Sequence, residues 1–142
     1  MKNSLKPVFS QRNKNKIISI IVPAFNEQEV IEQFHDRLQA TIDNIEKYGF
    51  EIVYVNDGSR DNTLEILKSL KIKNGVIEVL DLSRNFGKEA AMTAGIDLAS
   101  GEAAIIIDAD LQDPPELIPD MLIAWEKGYE VICMQRTGRD GE

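Results

Sequence analysis

The feature that most constrains this chain is a rhythm: short β-branched runs alternate with longer segments whose apolar residues fall at helical spacing. The runs occupy residues 17–22, 51–55, 76–80, 103–107 and 130–134. Each reads as a near-continuous apolar stretch, the pattern of a strand buried on both faces, and a parallel sheet covered by helices buries strands in that way. Five strands are predicted in an α/β fold, a Rossmann-like, mostly parallel sheet flanked by helices. Between the first two runs, Val30, Ile31, Phe34, Leu38, Ile42 and Ile45 recur at helical spacing, and Leu64, Leu67 and Leu70 do so in the second connection. Residues 88–99 are rich in alanine, which suits a helix lying close to the sheet, and Ser100 and Gly101 stop it. Asn62 with Glu65 reads as a capping pair, and Asp113, Pro114, Pro115 and Glu116 read as cap, first-turn prolines and an early acid for a further helix.

At 142 residues the chain has the length of one domain. Its charge is divided unevenly. Residues 1–16 carry Lys2, Lys6, Arg12, Lys14 and Lys16 and no acid, leaving 11 basic against 24 acidic residues on the rest. A basic tail over 1–16 and one domain over 17–142 are therefore expected, and so acidic a body argues against nucleic-acid binding. No apolar stretch is long enough to span a bilayer and no leader pattern opens the chain, so a cytoplasmic location is expected. The single cysteine, Cys133, sits in the apolar run 130–134 and reads as a buried hydrophobe. His35, the sole histidine, is expected on a solvated helix face. With one of each, Cys-His, Ser-His-Asp and zinc chemistries are set aside, leaving carboxylates and a hard metal ion.

Ligands of open α/β sheets bind outside the carboxyl ends of the strands. Those ends carry residues 23–27 after the first strand, 56–59 after the second, 83–88 after the third and 108–112 after the fourth. Asp108 and Asp110, one residue apart, point to the same side of an extended chain, about 7 Å apart at the backbone. Gln112 continues that side. Two carboxylates and an amide oxygen make a hard oxygen site suited to Mg²⁺ or Mn²⁺. Asp57, followed by Gly58, can accept hydrogen bonds from a base or ribose, or shape its own turn. Glu27 opens a helix, where an acid also complements the dipole. Lys88 sits at a helix start, opposing the dipole, which suits an anionic partner as well as solvent exposure.

The motifs at 20–27, 55–61, 83–88 and 108–115, in that order, resemble those of the family 2 glycosyltransferases of GT-A fold, in particular the branch that acts on polyprenyl phosphates. The resemblance runs from about Lys16 to the last residue. It implies that Pro23, Ala24, Phe25, Glu27 and Asp57 line the pocket for base and ribose. It further implies that Asp108 and Ala109 lie near the ribose and metal, that Asp110 and Gln112 hold the divalent ion on the donor diphosphate, and that Asp108 and Asp110 are the catalytic acids. Lys88 and Arg136 fall where the family meets donor phosphates or acceptor. Members commonly show Asp-Asp-Gly-Ser where this chain has Asn56 and Asp57.

The expected activity is inverting transfer of a hexose from a nucleotide-diphosphate sugar to a polyprenyl phosphate, with UDP-glucose favoured over GDP-mannose. The resemblance places a full-length member at the inner face of the cell membrane. Homo-oligomerisation is compatible with the sequence. Family members continue past Glu142 into acceptor-binding parts, so the alternative is a fragment that binds nucleotide-sugar without turnover. A haloacid-dehalogenase-like phosphatase also uses Asp-x-Asp after a strand, but on its first strand rather than its fourth.

Overall fold

A computed structural model describes residues 16–128. Four parallel strands form one sheet: β1 (Ile17–Ala24), β2 (Gly49–Asn56), β3 (Ile77–Asp81) and β4 (Ala103–Ile106). The helices are α1 (Ile31–Asp43), α2 (Thr63–Lys73), α3 (Lys88–Leu98) and α4 (Ile118–Glu126), the last preceded by a 3₁₀ turn over Pro115–Leu117. The α/β class expected from the sequence is thus observed, with each predicted strand start or end within a few residues. The fifth predicted strand at 130–134, with Cys133, and Arg136 beyond it lie outside the described residues. No helix among the described residues is long and apolar enough to cross a membrane.

The strand order is β3-β2-β1-β4. The chain moves outward through β1, β2 and β3, then crosses back over the sheet to place β4 on the other side of β1. Right-handed crossovers in opposite directions put their helices on opposite faces. Accordingly Phe34 and Leu38 of α1, Leu67 of α2 and Ile118, Met121 and Leu122 of α4 pack with Ile18, Ile20, Val22, Ile52 and Tyr54 on one face. Ala91 of α3 packs with Ile21, Val53 and Val55 on the other. Residues that alternate along β1 and β2 therefore feed two separate cores, as the period of a strand requires.

The alanine-rich character of α3 has the expected consequence. Gly95 is buried, and a Cβ placed on it would meet Ile21 Cγ2 at 2.5 Å and Val55 Cγ2 at 3.0 Å. At Gly95 the helix lies so close to the sheet that even a methyl group would collide with Ile21.

Two local expectations are corrected. His35 is not solvated: it is 7% exposed, and its Nδ1 lies 2.8 Å from the Tyr54 hydroxyl. The apolar arc of α1 is wide enough to take it in, and burial lowers its pKa from the usual value, keeping the ring neutral. Asn62 and Glu65 do not form a capping pair, since the Asn62 side chain makes no cap bond. Asp61 takes that part instead: its Oδ1 accepts the Thr63 N–H at 2.9 Å and the Thr63 hydroxyl at 2.6 Å. Asp113, expected as a cap, has Pro114 between it and the 3₁₀ turn, and its Oδ2 accepts the Asp108 N–H at 3.3 Å, which ties it back toward β4.

Substituting Gly95→Ala overpacks the α3 interface. Such insertions cost about 1–3 kcal/mol, of which the better helix propensity of alanine recovers at most about 1 kcal/mol. Thermal or urea unfolding should show the variant less stable than the parent; equal stability would mean that α3 lifts freely from the sheet.

Candidate functional site

The polar loops meet at the carboxyl pole of the sheet. β1 and β2 end level with one another, Ala24 opposite Asn56, and β2 and β3 end level at Asn56 and Asp81. β4 pairs with β1 up to Ile21 opposite Ile106, and Asp108 follows two residues later. Between β1 and β4 the strand order reverses, and there the loops that follow the two strands diverge and open a crevice.

The loops after β1 and β2 are joined by reciprocal hydrogen bonds. Asn26 adopts φ 55°, a left-handed conformation that asparagine tolerates better than most residues. Its N–H donates to Ser59 Oγ at 2.9 Å, while its Oδ1 accepts the Arg60 N–H at 2.8 Å. The Glu27 N–H donates to Thr63 Oγ1 at 2.8 Å, and the Asp57 N–H donates to the Ala24 carbonyl at 2.9 Å. Asp57 is 4% exposed, and its Oδ1 accepts the Phe86 N–H from the loop after β3 at 2.9 Å. Phe25 stands out at 41% exposure beside this buried acid. Pro23, Ala24 and Ala109 are buried.

Across the crevice, Lys88 at the start of α3 forms an ion pair with Asp108, Nζ to Oδ2 at 2.6 Å, the lysine side chain 55% and the aspartate side chain 14% exposed. The loop after β4 is shaped from within. Asp110 Oδ1 accepts the Gln112 N–H at 3.0 Å, Leu111 adopts φ 66°, and the Asp108 N–H donates to Oδ2 of the buried Asp113 at 3.3 Å. Arg37 of α1 pairs with Glu116 through both its Nε and Nη2, tying the turn that follows to the helix that packs against it.

Glu27 reports how these loops converge. Its pKa is raised, first by partial burial and then by the charges of Asp110, Asp108 and Asp61. Carboxylates from the loops after β1, β2 and β4 therefore share one field, and that field calls for positive charge. Among the described residues no three acidic, histidine or cysteine groups form a cage able to hold a metal by themselves. The donor set of Asp108, Asp110 and Gln112 instead fits a hard cation that keeps waters and takes its remaining ligands from phosphates. Sequence reasoning singled out Glu27, Asp57, Lys88, Asp108, Asp110 and Gln112, and the structure places all of them at this pole. It gave no separate role to Asn26, Ser59, Asp61, Asn85 or Phe86, and it read Asp113 as a helix cap.

A four-stranded parallel sheet with this order, carrying acids at its switch point, defines the nucleotide-binding half of a GT-A fold. The chain belongs to glycosyl transferase family 2, whose family model matches residues 19–142. It is 48% identical over 124 residues to the uncharacterized glycosyltransferase YkcC of Bacillus subtilis, covering 87% of this chain and 38% of that protein. It is 43% identical over 122 residues to the bactoprenol glucosyl transferase of Shigella phage SfV, covering 86% of this chain and 39% of that protein. The chain thus spans about two fifths of the length of these relatives. Among solved structures it resembles the glucosyl-3-phosphoglycerate synthase of Mycobacterium tuberculosis, which was determined with Mn²⁺, UDP and glucosyl-3-phosphoglycerate. That likeness has a TM-score of 0.59 at 21% identity, covers 82% of this chain and 41% of the other, and shows the fold alone.

The raised pKa of Glu27 means that the folded protein holds this proton more tightly than the unfolded chain does. Ionising it as pH rises through the raised value therefore costs stability, and the loss persists above it. A Glu27→Gln variant carries no such charge. Its melting temperature should gain on that of the parent as pH rises from the ordinary glutamate value of about 4.3 through the raised one; parallel profiles would show that neither burial nor the neighbouring acids shift Glu27.

Proposed function

We propose that this chain forms the nucleotide-sugar-binding part of an inverting glycosyltransferase that moves a hexose from a nucleotide-diphosphate sugar to a polyprenyl phosphate. The observation that carries this reading is the convergence of Glu27, Asp108 and Asp110 on the crevice between β1 and β4, facing Lys88. A 43% identical relative bearing the name bactoprenol glucosyl transferase supports the lipid acceptor and favours UDP-glucose as donor, with GDP-mannose the alternative.

In this reading Asp57 accepts a hydrogen bond from the base with the oxygen that Phe86 leaves over, and Phe25 offers an exposed ring for the base to pack on. Glu27 and Asp108 face the ribose. Asp110 and Gln112 would hold Mg²⁺ or Mn²⁺, which when bound neutralises charge on the departing nucleotide diphosphate. Lys88 leaves Asp108 for a phosphate oxygen as the donor enters, exchanging one anionic partner for another. The acceptor phosphate is already anionic at neutral pH, so little is asked of a general base, and none of these residues is assigned that role. Arg136, outside the described residues, is assigned to donor or acceptor phosphates. The whole protein would work at the inner face of the cell membrane, as access to a polyprenyl phosphate requires.

A second reading is a unit that binds nucleotide-sugar and does not turn it over. Calorimetry with UDP and GDP, in Mn²⁺ and in EDTA, tests what both readings share. One nucleotide should bind only with the ion, and Asp110→Ala should weaken it at least tenfold, about 1.4 kcal/mol. Failure of both nucleotides to bind would overturn the donor site. If binding is seen, release of free hexose from the nucleotide-sugar distinguishes residual turnover from binding alone.

A further inference from the structure

Asn56 is the last residue of β2, 2% exposed, and its register partner on β3 is Asp81. Its side chain faces two ways. Nδ2 donates to Asp81 Oδ1 at 2.9 Å, and Oδ1 accepts the Ser59 N–H at 3.4 Å. Its backbone carbonyl accepts the Leu82 N–H at 3.0 Å. Immediately after it, the Asp57 carbonyl accepts from Asn85 Nδ2 at 3.1 Å and the Asp57 carboxylate accepts the Phe86 N–H. Gly58, at φ 72°, lies so close to the backbone of Arg84 and Asn85 that a Cβ there would collide with both. The turn at 56–59 and the loop at 82–87 are thus one packed unit, and the amide–carboxylate bond from Asn56 to Asp81 is the link at its base.

We infer that Asn56 is a positioning residue for the nucleotide site: by donating to Asp81 it holds the loop at 82–87 against the turn and so fixes the direction of the Asp57 carboxylate. The inference rests on the reading of this pole as a donor site. An amide does both tasks at position 56, since it carries a donor for the carboxylate and an acceptor for the Ser59 N–H. An aspartate there would keep the acceptor, lose the donor, and set two like charges at hydrogen-bond distance. The loop would then separate from the turn, and the Phe86 N–H would no longer hold Asp57.

The test uses the 142-residue chain and three variants, Asn56→Asp, Asp81→Asn and the double variant. Calorimetry gives the Kd for UDP and GDP, and NMR gives the hydrogen-exchange rate of the Phe86 amide. Asn56→Asp should weaken the nucleotide that binds by about tenfold and speed Phe86 exchange. Asp81→Asn should stay within about twofold, because Asn56 still has an oxygen to donate to. The double variant exchanges donor and acceptor and should restore both readouts. A purely structural defect would not be rescued by a second substitution that only moves the amide. Unchanged affinity and exchange in Asn56→Asp, or a double variant no better than it, would overturn the inference.

If the parent binds neither nucleotide, the donor-site reading fails by itself. The Phe86 exchange pattern across the four proteins then still decides whether Asn56 holds the loop. Should Asn56→Asp not fold, Asp81→Ala removes the acceptor without adding charge. It must then reproduce the faster exchange, and an unchanged rate overturns the inference.

Discussion

The pairing of β4 with β1 is the constraint from which the site follows. Ile20 opposite Ile105 and Ile21 opposite Ile106 fix β4 on the side of β1 away from β2, although the chain reaches it from β3. That placement forces a crossover back over the sheet and puts α3 on the opposite face from α1 and α2. It also leaves the loops after β1 and β4 as neighbours that part at the reversal of strand order. Without it Glu27 and the acids at 108 and 110 would stand at separate edges. The close seat of α3 belongs to the same arrangement: Gly95 lets the helix lie against Ile21 and Val55. Lys88 at its first turn is thereby brought level with Asp108.

Gathering acids at one pole is unfavourable by itself: partial burial first, and then the charges of Asp110, Asp108 and Asp61, raise the pKa of Glu27. Two features make it tolerable. Lys88 supplies a cation 2.6 Å from Asp108, and Glu27, Asp108 and Asp110 follow the strand ends, partly exposed, rather than lying inside the sheet. On the proposed function the remaining imbalance has a use: a cation and a nucleotide diphosphate would complete the field on binding, and the binding free energy would then include relief of that repulsion.

Much of this was legible in the sequence, and the parts that were not share one cause. The strands and helices announce themselves by local periodicity, and burial of the sheet on both faces makes the runs at 17–22 and 51–55 hard to mistake. The acids at strand ends follow from topology, because ligands of open α/β sheets bind there. What escaped were side chains whose partners lie far along the chain: His35 with Tyr54, Asp57 with Phe86, and Asn56 with Asp81, 19, 29 and 25 residues apart. Asp113 has a task that its place before two prolines does not announce: the left-handed turn at Leu111 brings its carboxylate back to the Asp108 N–H.

On the proposed function the site has a base side and a phosphate side, built by different means, and the difference fits the proposed ligand. On the base side, Asn26, Ser59, Arg60, Asn56, Asp57, Asn85 and Phe86 are joined by hydrogen bonds that cross between three loops. A flat, rigid group gains from such preorganisation, since little loop entropy remains to be lost on binding. On the phosphate side, the loop after β4 is shaped by bonds within itself, from Asp110 to Gln112 and from Asp108 to Asp113, and it reaches α3 through the exposed Lys88. A long lysine can swing from a carboxylate to a phosphate without disturbing the sheet, whereas a backbone-locked donor could not. A diphosphate and its cation must enter, change charge and depart, so a fixed base pocket beside an adjustable cation is the arrangement that this chemistry favours.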